Sequence, residues 1–247
     1  MIVKKTAVEE PRKIYDRIPS GITGLDKHIG GGFIKGSTIL VSGSTGSCKT
    51  IFCSQFIWEG LKNGERCMFI TLEEEPDELI EDVKQFGWDF KKYIDSGQLF
   101  LDYKDPLQLV DVTSNVTDKI QQCGITRVVI DSTSVFEIYY ERPSEIRKEL
   151  FKLLRELKKI KVTAVLTSEL PEVSGDERYE KLAKFGVEEF IVDAVIVLYY
   201  FGIGSFMSNT MQVRKMRRTN HAKDIIPFEV GRDGIFVNEI EKIGENI

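Results

Sequence analysis

Residues 43–50, Gly-Ser-Thr-Gly-Ser-Cys-Lys-Thr, gather the residue types that grip a chain of phosphates. An apolar run, Ile39, Leu40 and Val41, stops at Gly43, and a helix-like stretch from Ile51 to Leu61 follows Thr50. Strand, glycine loop, Lys-Thr and helix in that order form the phosphate-binding P-loop arrangement. The backbone N–H groups of Ser44, Thr45, Gly46, Ser47 and Cys48, and of the helix start at Lys49, Thr50 and Ile51, would point into one volume suited to phosphate oxygens. Lys49 would reach the β- and γ-phosphates, and the Thr50 hydroxyl would be a magnesium ligand. Glycine normally precedes the lysine of this pattern; here Cys48 does. By itself the loop also reads as a small-residue turn between a strand and a helix, and other stretches must decide.

A P-loop needs a second magnesium contact, usually an aspartate ending another apolar strand. Asp131, closing Val128, Val129 and Ile130 and followed by Ser132, fits; an aspartate capping a loop is the plainer alternative. Hydrolysis needs a group that orients or deprotonates water, and Glu73, Glu74 and Glu75 follow directly on the apolar run 67–72. The same acids would also suit the positive end of the helix that Pro76 opens. Two glutamates at a γ-phosphate make sense when one activates water and magnesium or a nearby cation screens the other. Residues 214–223 carry Arg214, Lys215, Arg217, Arg218 and Lys223 without an acid. On an alternating strand, Lys215 and Arg217 share a face. Three readings stay open for this stretch: cations for a neighbouring subunit's triphosphate, a solvated basic edge, or a nucleic-acid contact.

Alternating elements must position these groups. Cys67–Leu72, Leu99–Leu101, Arg127–Asp131 and Val162–Thr167 read as buried strands. Helical stripes separate them: Leu79, Ile80, Val83 and Phe86; Leu109, Val112, Val116, Ile120 and Cys123; and, after Pro143, Ile146, Leu150, Leu153, Leu154 and Leu157. Strands joined by helices imply right-handed βαβ units, an α/β fold with a mostly parallel central sheet. Beyond it, 191–201, 210–216, 225–230 and 235–237 are strand-like without helices between them, and Gly231-Arg232-Asp233-Gly234 reads as a hairpin turn. An antiparallel extension of the sheet is the simplest account. Residues 1–16 read as a lead-in segment and 17–247 as one domain.

The 247 residues can bury a large core, and a formal charge of −5 offers no global attraction to nucleic acid or anionic membranes. No apolar run of about 18 residues or signal-peptide core is present, so no membrane association is expected. Cys48, Cys53, Cys67 and Cys123 contain no C-x-x-C pair, which argues against a metal cluster and for a reduced, cytoplasmic setting.

Arg17-Ile-Pro-Ser-Gly-Ile-Thr-Gly-Leu-Asp26, Gly30-Gly-Gly-Phe33, the P-loop, Thr71-Leu-Glu-Glu74, Ile130-Asp-Ser132, Val187-Glu-Glu-Phe190 and Lys215-Met-Arg-Arg-Thr-Asn-His-Ala-Lys223 together resemble the RecA-superfamily ATPase domain of the KaiC family. The likeness runs from about residue 17 to 240. It implies a RecA-like P-loop fold, ATP and Mg2+ as ligands, and a homo-hexameric ring with ATP between subunits. By position it makes Glu73 and Glu74 the pair that activates water and Asp131 the Walker B aspartate. Lys215, Arg217, Arg218, Thr219, His221 and Lys223 fall in the segment that reaches a neighbour's nucleotide. KaiC has two such domains in tandem, and this chain matches one. Glu189 and Phe190 stand where the second KaiC domain has adjacent hydroxyl residues, so phosphorylation of that site is not expected, and the first, hydrolytic domain is the nearer likeness.

Cys48 departs from the family pattern. A position opening a helix is expected to need no positive φ, so a small side chain should be tolerated there. Lys49 and the helix N-terminus are expected to lower its thiol pKa, with weakened or redox-sensitive ATP binding as the consequence. The leading functional expectation is a slow ATPase, a nucleotide-driven switch or signalling ring. The alternatives are a recombinase-like DNA-binding ATPase and a nucleotide-bound scaffold with negligible turnover. Against DNA, 137–142 and 171–184 are net acidic and poor phosphate binders, although Tyr139 and Tyr140 could stack on bases. No protein partner is legible.

Overall fold

A computed structural model describes residues 15–103, 112–170, 182–203 and 206–237. Most of the lead-in, Leu109 and most of the acidic stretch 171–184 (Glu172, Asp176, Glu177, Arg178, Glu180 and Lys181) therefore lie outside the described residues. The strands are β1 (Arg17–Ile18), β2 (Phe33–Ile34), β3 (Thr38–Gly43), β4 (Cys67–Thr71), β5 (Leu99–Tyr103), β6 (Arg127–Asp131), β7 (Thr163–Glu169), β8 (Ala194–Ile203), β9 (Phe206–Met216), β10 (Ile225–Gly231) and β11 (Gly234–Val237). The helices are α1 (Leu25–His28), α2 (Lys49–Lys62), α3 (Pro76–Lys84), α4 (Phe90–Asp95), α5 (Val112–Cys123), α6 (Phe136–Tyr139), α7 (Pro143–Lys159) and α8 (Glu188–Ile191).

Nine strands form one sheet in the order β11-β10-β9-β8-β3-β7-β6-β4-β5. β8, β3, β7, β6, β4 and β5 are mutually parallel, and β9, β10 and β11 extend the sheet antiparallel, as the patterning predicts. Residues of β3, β4 and β6 are buried on both faces, which explains their continuous apolar runs. Alternation then divides the core. Ile39 and Val41 pack with Phe52, Phe56, Leu79 and Val83 on one face; Leu40 joins Val116, Ile120, Leu150 and Leu154 on the other. In α7 the whole predicted stripe, Ile146, Leu150, Leu153, Leu154 and Leu157, is buried.

Two local features differ from the pattern reading. Residues 188–191 form a helical turn, so the strand expected from residue 191 begins only at Ala194, because Glu188 folds back onto the Val187 N–H (3.1 Å) and Lys215 gathers the carbonyls at the end of the turn. Against β8, strand β9 has a register shift at Val195/Ile196, so Arg214 is the extra residue of a bulge. At the amino edge of the sheet, fully buried Arg127 binds Glu65 through Nε (3.0 Å) and Nη2 (2.8 Å) and donates to the Pro19 and Phe56 carbonyls. That pins the Arg17–Ser20 segment to the sheet.

Candidate functional site

The loop between β3 and α2 is built by close approach. A Cβ on Gly43 would collide with Ser47 Oγ and lie 2.7 Å from the Leu198 carbonyl oxygen. Gly46 takes φ 79° with open space beside it. Lys49 Nζ folds over the loop and donates to the carbonyls of Gly43 and Ser44, both at 3.0 Å. Ser44 and Thr45 are exposed, whereas Ser47 is buried and its hydroxyl has no hydrogen-bond partner. The first-turn N–H groups of α2 complete the cradle, and no side chain caps them.

Cys48 corrects the sequence reading twice. It holds φ 71° and ψ 27°, the left-handed region, as the residue before the helix. The loop reverses direction there before entering α2, which is why glycine is usual at this position. Its thiol pKa is raised, not lowered: burial outweighs the pull of the adjacent Lys49 charge.

Parallel pairing delivers the carboxylates. Thr71 pairs with Asp131 and Ile130 with Leu166, so β4 and β6 end level, while β7 runs on to Glu169 and lies between β6 and the P-loop strand β3. Asp131 accepts a short hydrogen bond from Thr167 Oγ1. Burial raises its pKa, with Glu73 adding to the shift, while the Thr167 and Thr50 hydroxyls and Lys49 oppose it. Thr167, whose own carbonyl accepts from Thr133 Oγ1 at 2.8 Å, was not singled out from sequence. No sequence signal marks it, because its meeting with Asp131 depends on β7 lying beside β6. Ser132 Oγ donates to Glu73 Oε1 at 2.6 Å, tying the two strand ends together. Glu73 is exposed. Glu74 is half-buried, with Oε2 inaccessible and unpartnered, and its pKa is raised by burial and by Asp131, Asp82, Glu73 and Glu78. Glu75 instead precedes α3 without capping it through its side chain.

These groups fit a nucleotide with a hard cation. Hydroxyl and carboxylate oxygens from Thr50 and Asp131 are the donor type magnesium takes. A buried carboxylate whose charge the fold disfavours is one a cation would compensate. The Ser47 hydroxyl is buried and unpartnered, and it sits so close to Gly43 that a Cβ there would collide with it.

The basic segment sits elsewhere. Arg217 N–H donates to the Asp193 carbonyl at 2.9 Å, and Asp193 N–H donates to Thr38 O, so the segment lies at the amino end of β3. The length of β3 separates it from Gly43, roughly 17 Å at 3.3 Å per residue. Lys215 is committed within its own chain, donating to the carbonyls of Glu189 (2.7 Å), Phe190 (3.3 Å) and Val192 (2.8 Å). Burial first, then Arg217 and Lys158, push its pKa down to about 8. Arg217 also reaches the Phe190 carbonyl (3.2 Å), so it shares a face with Lys215 as expected, and it and Arg218 are exposed. Thr219 accepts from Arg17 Nη2 at 2.8 Å. His221 is buried, and Lys223 Nζ lies 2.9 Å from its Nε2. Tyr139 and Tyr140 pack edge-to-face on each other at 4.8 Å, and Phe136 stacks on Tyr140. Glu137 and Glu169 both pair with Lys184. Among the described residues no helix is long and apolar enough to cross a membrane.

Comparison with known proteins identifies the family. The model of the KaiC ATPase family matches residues 18–242. The circadian clock oscillator protein KaiC 1 of a Synechocystis species is 34% identical over 247 residues, covering 95% of this chain and 46% of its own length. KaiC of Synechococcus elongatus is 36% identical over 226 residues, covering 87% and 42%. The chain thus spans less than half the length of these relatives. The crystal structure of a KaiC-like protein from the archaeon Pyrococcus horikoshii superposes with a TM-score of 0.81 at 36% identity, covering 91% of this chain and 99% of that one.

Proposed function

The chain belongs to the KaiC ATPase family, an ATP-binding RecA-type ATPase, and from that premise we propose that it hydrolyses ATP slowly as a homo-hexameric ring serving as a nucleotide-driven switch. One observation carries the reading. Thr50, Asp131, Thr167, Ser132 and Glu73 converge at the strands' carboxyl ends, while the Arg217–Arg218 segment lies at the opposite end of the same sheet. A segment so far from its own P-loop suits a neighbour's nucleotide better than its own.

In this reading the loop amides and Lys49 would hold the β- and γ-phosphates, and Thr50 and Asp131 would hold magnesium. Magnesium would supply neutralisation of phosphate charge. Glu73 is the group that faces water: it is exposed and Ser132 fixes one of its oxygens, leaving the other for a water proton. Glu74 has its Oε2 buried and serves instead to raise the negative field around Glu73 and Asp131. As water attacks the γ-phosphorus and its proton passes to Glu73, the bond to the β,γ-bridging oxygen breaks. A neighbour's Arg217, with Arg218, stabilises the charge that develops. Thr219, His221 and Lys223 shape the rest of that contact.

Phosphate release measured together with particle size, with and without ATP, tests the proposal. Glu73→Gln should lower turnover by about 100-fold or more while ATP still binds. Glu74→Gln should cost less, and Arg217→Ala should lower turnover without abolishing ATP binding. A monomer under all conditions, or a Glu73→Gln variant as fast as wild type, refutes the reading. Salt-dependent binding of single-stranded DNA would favour the recombinase-like alternative instead.

A further inference from the structure

Asp193, just before β8, is a junction that the nucleotide chemistry does not use. Its carboxylate accepts from Thr38 N–H (3.1 Å), Thr38 Oγ1 (3.2 Å) and Lys158 Nζ (3.2 Å). Arg217 Nη1 lies 3.9 Å and Arg218 Nη2 3.5 Å from the same Oδ1 that Lys158 binds. The backbone is tied as well: Asp193 N–H donates to Thr38 O at 2.8 Å, and Arg217 N–H donates to Asp193 O at 2.9 Å. Burial opposes the charge, but the Thr38 N–H and Lys158 outweigh it, and the pKa sits below the ordinary aspartate range. One ionised, nearly buried carboxylate thus faces three cations and is hydrogen-bonded to the first residue of the P-loop strand.

We propose that Asp193 is the positioning residue for Arg217 and Arg218, fixing them for a neighbouring subunit's triphosphate; this rests on the reading of those arginines as acting in trans. The physical need is plain. Arg217 and Arg218 are adjacent, repel each other and Lys158, and have long, exposed side chains. Without the shared anion only the Phe190 carbonyl would hold Arg217 and only the Tyr15 ring Arg218, and ordering them together at a phosphate would cost rotamer freedom on each encounter. Asp193 removes that repulsion beforehand and aims both groups from a rigid base. Its second bond, to Thr38, also fixes the finger to the strand that carries the same subunit's P-loop at its other end.

The test mixes defective subunits. One partner is the Glu73→Gln, Glu74→Gln double variant, whose sites are inactive but whose arginines are intact. The other is Asp193→Asn, whose sites are intact but whose arginines are loosened. Asp193→Asn alone should lose about 10- to 100-fold in kcat, the scale of a small misplacement of a catalytic group. KM for ATP should change little, and Asp193→Glu should recover part of the loss. Should Asp193→Asn not fold, Asp193→Glu, which shifts the charge by one methylene, carries the same experiment. Mixing the two impaired proteins should raise phosphate release above the sum of the separate samples, because intact sites then meet intact arginines. Arg217→Ala mixed with the same double variant is the control. If the control regains activity and the Asp193 mixture does not, the positioning role is overturned while the trans reading stands. If neither mixture regains activity, the trans reading itself falls, and this inference with it.

Discussion

Replacing Cys48 separates backbone strain from side-chain packing in the P-loop. The left-handed conformation costs an L-residue roughly 1–2 kcal/mol, a cost glycine does not bear. Cys48→Gly gives back roughly 0.4–1 kcal/mol through the freer unfolded chain. It also loses the packing of a half-buried side chain against the core, about half of the ~0.8 kcal/mol that a fully buried methylene contributes. These nearly cancel, so Cys48→Gly should match wild type or exceed it by up to about 1 kcal/mol. Cys48→Ala keeps the strain and loses the sulfur, so it should fall below Cys48→Gly by about 1 kcal/mol. For a chain of this size that is about 2–4 °C in Tm. Thermal and urea unfolding of the nucleotide-free protein measure it, and titration with a fluorescent ATP analogue should find the glycine variant binding at least as tightly as wild type. An alanine variant as stable as the glycine one would refute the strain argument. The thiol gives a second check: because burial raises its pKa, alkylation at pH 7 should be slower than for a free cysteine. A hyper-reactive Cys48 would contradict the burial argument.

The raised pKa of Asp131 means that its ionised form weakens the folded nucleotide-free protein. That penalty is absent below the ordinary aspartate range and grows as pH rises through the folded-state pKa. Asp131→Asn should therefore raise Tm at pH 7, lose the gain as pH falls toward about 4, and abolish magnesium-dependent ATP hydrolysis; no stabilisation at pH 7 would refute the burial argument. Gly43→Ala should remove nucleotide binding, because its Cβ would strike Ser47 and the Leu198 carbonyl; wild-type ATP affinity would show that the loop rearranges freely. Leu154→Ala, at a position fully buried in the α7 face of the core, should cost about 2–5 kcal/mol in urea unfolding. A loss under 1 kcal/mol would mean that the cavity collapses.

Much of the architecture was legible because its signals are local. Continuous apolar runs named the buried strands, Pro76 and Pro143 named helix starts, and glycine with Lys-Thr named the turn from β3 into α2. Asp131 and Glu73 were legible because a carboxylate directly after a buried strand has only the sheet's carboxyl edge to occupy. The backbone at Cys48 was not legible: residue type does not report φ, and the reversal there belongs to the path from β3 into α2. Nor was the direction of its thiol pKa, since Lys49 is a neighbour in sequence whereas the burial that outweighs it comes from the fold.

The longest-range partnerships belong to tertiary structure alone. Thr167 meets Asp131 only because β7 lies beside β6, and Ser132 meets Glu73 only because β4 and β6 end level. Asp193 joins Thr38, 155 residues away, to Lys158, Arg217 and Arg218 because β8 runs beside β3 and β9 returns against β8. Sequence determined which groups this protein owns and the order in which strands and helices present them. Strand order decided which of them touch, because hydrogen bonds and ion pairs act over a few ångströms in space and are indifferent to separation along the chain.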